Sequence, residues 1–360
     1  MSQEIIQEKE YTEVSDPAVM ALTPLVSVLM ITYNHGPYLA DAIEGVIAQQ
    51  TDFPIELLIG EDCSTDNTRE VALDYQRRYP QLIRVIYSEK NVGAALNFKR
   101  IVVESRGEYA ALCEGDDWWC NPKKLQLQIE LFKSDPAIGA VHADHAYAKM
   151  VKNKWVVTHQ NGRWFSKAPS FPITGNLFSI MFSSFCLATH TVVYKNLVVK
   201  KYVSSIFFEK NAIALDRILA AYCCSEWQVT YLNQVVSVYR ESPFSAMRSG
   251  SYGTLRIVKD ILFAYEKMHQ HYGHRKDFDF LFSDTAYINY IKTAFLTGDV
   301  KIFSESIDHV SKKKPDILLY SGIKFRRFIA DYPLFYNTTI SFVKMRNKYR
   351  LLKDNLIPIL

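Results

Sequence analysis

The six cysteines, at positions 63, 113, 120, 186, 223 and 224, form no CxxC pair and no zinc-finger spacing. That sets aside a structural zinc site or a disulfide framework. The thiols read instead as reduced and buried in a cytosolic protein. The N-terminal stretch MSQEIIQEKEYTEVSDP is acidic and has no apolar core, so it does not read as a secretory signal. There is also no uncharged apolar run of about 18 residues, the length a membrane-spanning helix needs. The nearest, ITGNLFSIMFSSFCLATHTVVY at 173–194, carries Asn176 and His190 and breaks into turn-like pieces. Net charge is only +4 over 360 residues, which gives no nucleic-acid signal. Internal repeats and low-complexity tracts are absent. What is abundant is apolar and aromatic: 48% hydrophobic residues, with 22 Tyr, 21 Phe and 5 Trp. A chain of this size and composition builds a sizeable core in two or three domain-sized units.

After a loose leader at 1–24, strands and helices alternate. LVSVLMIT (25–32) is a continuous β-branched run that suits a strand buried on both faces. A helix follows with apolar Leu39, Ile43, Val46 and Ile47 at helical spacing. IELLIGED (55–62), LIRVIYS (82–88), GEYAALCEGDD (107–117) and IGAVHADHAYAK (138–149) read as further strands. Between them lie helical patterns that begin near residues 66, 92 and 121, the first with Ser, Thr, Asp and Asn as caps and the last with Pro near its start. Such alternation predicts βαβ units and a mostly parallel sheet. Beyond residue 150 the pattern loosens. EKNAIALDRILAAYCC (209–224) reads as a short helix, 227–242 alternates like strands, and 252–353 looks helical.

Ligands of open α/β sheets bind at the carboxyl ends of the strands. Three polar clusters fall there: TYNHG (32–36), GEDCSTDNT (60–68) and CEGDD (113–117). The third crowds Glu114, Asp116 and Asp117 at the end of an apolar run. Like charges repel and are costly to desolvate, so the cluster anticipates a cation. Clustered carboxylates on a loop suit a hard cation, Mg²⁺ or Mn²⁺, shared with a diphosphate. Asp62 suits a nucleobase N–H or a ribose hydroxyl, and Thr32, Tyr33 and Asn34 suit the frame of a flat base. Neither the glycine-rich dinucleotide fingerprint nor the P-loop sequence follows the first strand.

Residues 25–145 resemble the nucleotide-sugar-binding half of the inverting glycosyltransferases of family 2. The matching pieces are VSVLMITYNHGPYLADAIEGVIAQQ, ELLIGEDCSTDNT, NVGAALNFKR, GEYAALCEGDDWWCNPKKL and the later VVSVYR. The resemblance implies a GT-A fold, a Rossmann-like and mostly parallel α/β sheet flanked by helices. It implies a donor half at 25–150, an acceptor half at 151–250 and a helical C-terminal region at 251–360. It makes Asp117 the metal contact, with Asp116 helping near the ribose. Glu114 stands where the family's acidic loop usually has Asp. Asp62 takes the base-contacting role, Thr32, Tyr33 and Asn34 the base-and-ribose segment, and His35 a position that is basic in some relatives. Asn91 and either Lys99 or Arg100 would approach the donor diphosphate, and Tyr239 and Arg240 would lie on a loop closing over the donor. The general base falls on Asp216, where the usual E-D pair reads LD, with Glu209 as the alternative. Thr189, His190 and Thr191 would line the acceptor cleft.

These residues also have plainer readings. The EGDD loop could be a solvated turn, and Asp62 or its neighbours Ser64 and Asp66 could cap a helix. Asp216 could be a helix-start charge. In HADH (142–145), strand alternation puts His142 and Asp144 on one face and His145 on the other, which fits structural histidines better than a metal site. The function expected is metal-dependent transfer of a sugar from a nucleotide-diphosphate sugar to a glycan or lipid-linked acceptor. UDP is the favoured nucleotide, and O-antigen, capsule or exopolysaccharide synthesis the expected setting. The alternatives are a sugar nucleotidyltransferase, whose N-terminal glycine-rich loop is missing, and a non-catalytic nucleotide- or carbohydrate-binding module. The basic, aromatic stretch at 315–360 suits contact with the anionic inner face of a plasma membrane or a solvated helical pair.

Overall fold

The computed structural model describes residues 11–152, 154–158, 173–181, 187–241, 250–275 and 283–319. The chain divides into two compact units, Met1–Ser242 and Pro243–Leu360. The membrane-contact stretch, except for 315–319, lies outside the described residues.

The segment expected to be a loose leader contains β1 (Thr12–Val14) and α1 (Pro17–Ala21). It is followed by β2 (Val26–Thr32), α2 (Gly36–Ile47), β3 (Ile55–Glu61), α3 (Thr68–Arg78), β4 (Ile83–Tyr87), α4 (Ala94–Glu104) and β5 (Tyr109–Leu112). β2 lies between β3 and β5, all parallel, with β4 parallel beyond β3. All of β2 except Ile31 is buried, which is why its sequence runs apolar instead of alternating. On α2 the buried residues Leu39, Ala42, Ile43 and Val46 recur at helical spacing. They join Val28, Met30, Leu57, Ile59 and Leu125 in the main core.

β1 pairs antiparallel with β4 at the sheet edge. Charge holds this short strand: Glu13 accepts from Arg84 at 2.8 Å, and Arg84 also donates to Glu56 at 3.0 Å. Glu56 is fully buried and takes further hydrogen bonds from Ser27 and Arg106. Burial alone would raise its pKa, but the Ser27 and Arg106 hydrogen bonds and the Arg84 charge win and hold it below the usual range. A three-residue strand carries too little apolar pattern to be seen in the sequence.

The second stretch of the unit adds β6 (Trp118–Trp119), α5 (Lys124–Phe132), β7 (Ile138–Val151), β8 (Lys154–Thr158), β9 (Val193–Lys195), α6 (Asn196–Val203), α7 (Leu215–Glu226) and β10 (Gln228–Arg240). The strand order is β1-β4-β3-β2-β5-β9-β7-β10-β6, with β8 paired to β7. β9 is antiparallel to both β5 and β7, and β10 is parallel to β7. The donor and acceptor halves expected from the sequence therefore share one sheet. The strand expected over 107–117 stops at Leu112, which leaves the acids on a loop.

In the second unit, α8 (Gly250–Tyr272), α9 (Ser283–Leu296) and α10 (Val300–Lys313) are helical. Glu266 of α8 accepts from Tyr287 of α9 and pairs with His309 of α10, both at 2.8 Å. No described helix is long and apolar enough to cross a membrane.

Candidate active site

The acidic loop lies along the carboxyl end of β2. Cys113 N–H donates to the Leu29 carbonyl and Gly115 N–H to that of Ile31, both at 3.1 Å. Gly115 is required by close approach, because a Cβ there would stand 2.8 Å from Thr32 Oγ1 and 3.0 Å from His35 Nδ1. Thr32 Oγ1 and His35 Nδ1 are both buried and meet no hydrogen-bond partner among the described residues.

Asp117, Glu114 and His190 converge. Asp117 is buried, and its Oδ2 lies 2.9 Å from His190 Nδ1. Glu114 Oε2 lies 3.9 Å from the same nitrogen. Asp116 turns toward the other side of the loop, with Oδ2 4.0 Å from His35 Nε2. Burial and the neighbouring carboxylates of Asp117, Asp116 and Asp216 push the Glu114 carboxyl well above its usual range. Its side chain is still 35% exposed, so water moderates the effect. Asp116 is pushed up as well, by burial and by Asp117, with His35 opposing.

Arg240, expected on a loop over the donor, is instead the last residue of β10 and is buried. Its backbone N–H donates to Asp117 Oδ1 at 2.9 Å, and its Nη1 donates to the Asp116 carbonyl at 2.8 Å. Nη2 donates to Asp41. The guanidinium lies 4.2 Å from the centre of the Trp118 ring and also faces Tyr38 and Trp155. Such stacking suits arginine in a way lysine cannot match. Arg240 thus braces the acidic loop from behind.

Asp62, expected at the nucleobase, is also buried. Its Oδ1 accepts from Val92 N–H at 2.9 Å and from Arg100 at 3.0 Å, and its Oδ2 accepts from Gly93 N–H at 2.8 Å. Asn91 donates to the Asp62 carbonyl at 2.9 Å. Asp62, Asn91 and Arg100 therefore pin the 88–93 loop onto the end of β3. Gly93 takes φ +86°, which favours glycine. Helix capping falls to Asp66, which accepts from Thr68 N–H of α3 and Gly36 N–H of α2, both at 3.0 Å. Asn34, at φ +56°, accepts from Thr65 N–H at 2.8 Å and joins the first two polar clusters. Tyr33 is exposed beside it. The Lys99 ammonium lies 5.4 Å from the Phe208 ring centre, and its described contact is there and not at the acidic loop.

Asp216 sits in the first turn of α7, and its Oδ2 accepts from Thr189 Oγ1 at 3.3 Å. Thr189 and His190 share one 3₁₀ turn, Thr189–Thr191, so the same turn touches both Asp216 and the acidic loop. In the HADH stretch, His142 packs on Tyr231, whose hydroxyl donates to Asp144 at 2.6 Å. His145 emerges on the opposite face, with its ring 4.9 Å from that of His190. Sequence reading placed His190 at the acceptor cleft but not beside Asp117. Its one cue was the polar THT triplet ahead of an apolar strand.

Residues 27–202 match the family model described as Glycosyl transferase family 2. The chain carries a family 2 glycosyltransferase domain. It is 44% identical over 111 residues to an uncharacterized protein of Mycobacterium tuberculosis, covering 31% of this chain and 32% of that one. It is 36% identical over 107 residues to the putative teichuronic acid biosynthesis glycosyltransferase TuaG of Bacillus subtilis, covering 30% and 41%. The chain thus spans roughly a third to two-fifths of the length of these curated relatives. Among solved structures it resembles S. aureus TarS 1–349 in complex with UDP-GlcNAc, with TM-score 0.53 and 17% identity over 89% of this chain and 91% of that one. It also resembles the mannosyltransferase PcManGT from Pyrobaculum calidifontis, in complex with GDP-Man and Mn²⁺. There the TM-score is 0.50 and the identity 14%, over 94% and 92%. At these identities the structural likeness speaks for the fold, which is of the GT-A type.

Proposed function

We propose that the family 2 domain transfers a sugar from a nucleotide-diphosphate sugar to a hydroxyl of a glycan or lipid-linked acceptor, with inversion at the anomeric carbon. The observation that carries this reading is the 3₁₀ turn that holds Asp216 through Thr189 and faces Asp117 through His190. One carboxylate is thereby set apart as a base beside a carboxylate cluster suited to a metal and diphosphate.

A divalent ion fits these residues. Carboxylates crowded enough to push each other's pKa upward gain from a shared cation, and hard oxygen donors suit Mg²⁺ or Mn²⁺. Asp117 and Glu114 would hold it, with Asp116 near the donor ribose. When bound, the ion would neutralise the charge of the departing diphosphate. Asp216 accepts the proton of the acceptor hydroxyl as that oxygen attacks the anomeric carbon, and the nucleoside diphosphate leaves from the opposite face. Arg240 keeps Asp117 in place through its backbone N–H. The Asp62 network shapes the rim beside Thr32, Tyr33, Asn34 and His35, where the base and ribose are proposed to lie. Asn91 and Arg100 act there through Asp62, and Lys99 stands outside this set.

The relatives support a role in bacterial surface-polysaccharide assembly, since one is named for teichuronic acid biosynthesis. TarS in complex with UDP-GlcNAc supports a UDP-sugar first, and PcManGT in complex with GDP-Man supports a GDP-sugar second. The test is nucleotide release from UDP-, GDP- and dTDP-sugars, with and without Mn²⁺ and with a lipid extract as acceptor source. Metal-dependent release from one donor, accelerated by acceptor, is expected. Nucleotide binding without release under every condition would favour a binding module.

A further inference from the structure

Building on that reading, we propose that His190 is itself a ligand of the divalent ion, through Nδ1, alongside Asp117 and Glu114. This nitrogen biases the site toward Mn²⁺ over Mg²⁺. The three donor atoms all lie within 4.8 Å of one another. Donors about 2.1 Å from an octahedral ion stand about 3 Å apart when adjacent, and Nδ1 is 2.9 Å from Asp117 Oδ2.

One contact fixes the turn that carries His190 and two fix its imidazole. The Trp119 indole N–H donates to the His190 carbonyl at 2.9 Å, which ties the turn to β6 beside the acidic loop. Tyr239 stacks on the ring, 5.7 Å between centroids and 27° between planes. His145 meets it edge-on at 88°. The side chain is only 5% exposed, and Nε2 finds no hydrogen-bond partner among the described residues.

A histidine in this position could serve only to orient Asp117. Asp117 is already fixed through its other oxygen by the Arg240 backbone N–H. Nδ1 also faces Glu114, so it stands between two carboxylates where a cation belongs. Magnesium prefers a full shell of oxygen donors, whereas imidazole nitrogen suits the transition metal better.

The test is pulsed EPR on the full chain loaded with Mn²⁺ alone. A ¹⁴N coupling to the manganese is expected, changing to the ¹⁵N pattern when the protein is grown with ¹⁵N-histidine. His190→Gln should abolish the coupling and weaken Mn²⁺ binding at least tenfold, with less than a threefold change for Mg²⁺. His35→Gln should retain the coupling. Bound Mn²⁺ with no nitrogen coupling in the unsubstituted chain would overturn the proposal, as would a coupling that survives His190→Gln. The first result needs no variant to fold. Mn²⁺-dependent donor hydrolysis without nitrogen coupling would remove His190 from the ion and leave the transferase reading intact. If the chain binds no Mn²⁺ at all, this ligand assignment and the metal-dependent form of that reading fall together.

Discussion

Replacing Lys124 by methionine should stabilise this protein, and by an amount that depends on pH. Lys124 opens α5 and is fully buried. Its Nζ lies 4.1 Å from the centre of the Trp119 ring and has no hydrogen-bond acceptor among the described residues. Burial pulls its pKa from 10.5 to about 7. The gap of about 3.5 pH units corresponds to about 5 kcal/mol, at about 1.4 kcal/mol per unit. Cation–π attraction to Trp119 returns about 1–2 kcal/mol, leaving a net cost of about 3 kcal/mol when the amine is charged.

The sign follows from proton linkage. The unfolded lysine keeps its proton up to about pH 10.5, and the folded one loses it near pH 7. Between these values the unfolded state binds more protons, so this group makes stability rise with pH. Below pH 7 both states are charged and the cost is complete and constant. Methionine fills a similar volume and does not titrate. Urea denaturation of both proteins from pH 6 to 10 should therefore show the Lys124→Met variant ahead by about 3 kcal/mol at pH 6–7, with the lead shrinking as pH rises. Other titrations largely cancel in the difference. A lead that does not change with pH, or a variant less stable than the unsubstituted chain at pH 6, would refute the argument.

Asp216→Asn should lower turnover by about 10²–10⁴-fold with nucleotide affinity held, measured by donor hydrolysis and calorimetry. A larger loss from Glu209→Gln would move the base there. Arg240→Lys keeps the backbone N–H to Asp117 but forfeits the contacts to Asp116 and Asp41 and the stacking on Trp118, and should weaken Mn²⁺ binding about tenfold in a calorimetric titration. Glu56→Ala leaves Arg84 and the partly buried Arg106 without their shared carboxylate and should cost about 3–5 kcal/mol, read from the urea midpoint.

Where sequence and structure agree, the signal was local. β2 was legible because a strand covered on both faces must be continuously apolar, and the acids of the 113–117 loop because a buried run that ends in charge is rare. What stayed hidden depended on distant partners. The aromatic cage of Arg240 takes Tyr38 from α2, Trp118 from β6 and Trp155 from β8, and no spacing announces that meeting. Asp62 reads as a polar strand end, but its use as a clamp depends on Gly93 taking a left-handed backbone. β1 depends on Glu13 reaching Arg84, and one ion pair leaves no periodic trace.

The same dependence on distant partners ties the acidic loop of the first half to the second half. Asp117 comes from the first half, yet both of its oxygens meet groups of the second. Oδ1 is held by the Arg240 N–H at the end of β10, and Oδ2 faces His190 from the turn before β9. β9 reaches that position because it inserts antiparallel between β5 and β7, and β10 because it runs parallel beside β7. A chain ending near residue 150 would keep the acids but lose both the Arg240 N–H and the facing His190. The repulsion that raises Glu114 and Asp116 would then act on an unbraced loop, which would splay into water instead of converging on an ion. The sheet's crossing from one half to the other is thus what turns an acidic turn into a candidate metal site, and it sets Asp216 beside that site through the adjacent Thr189.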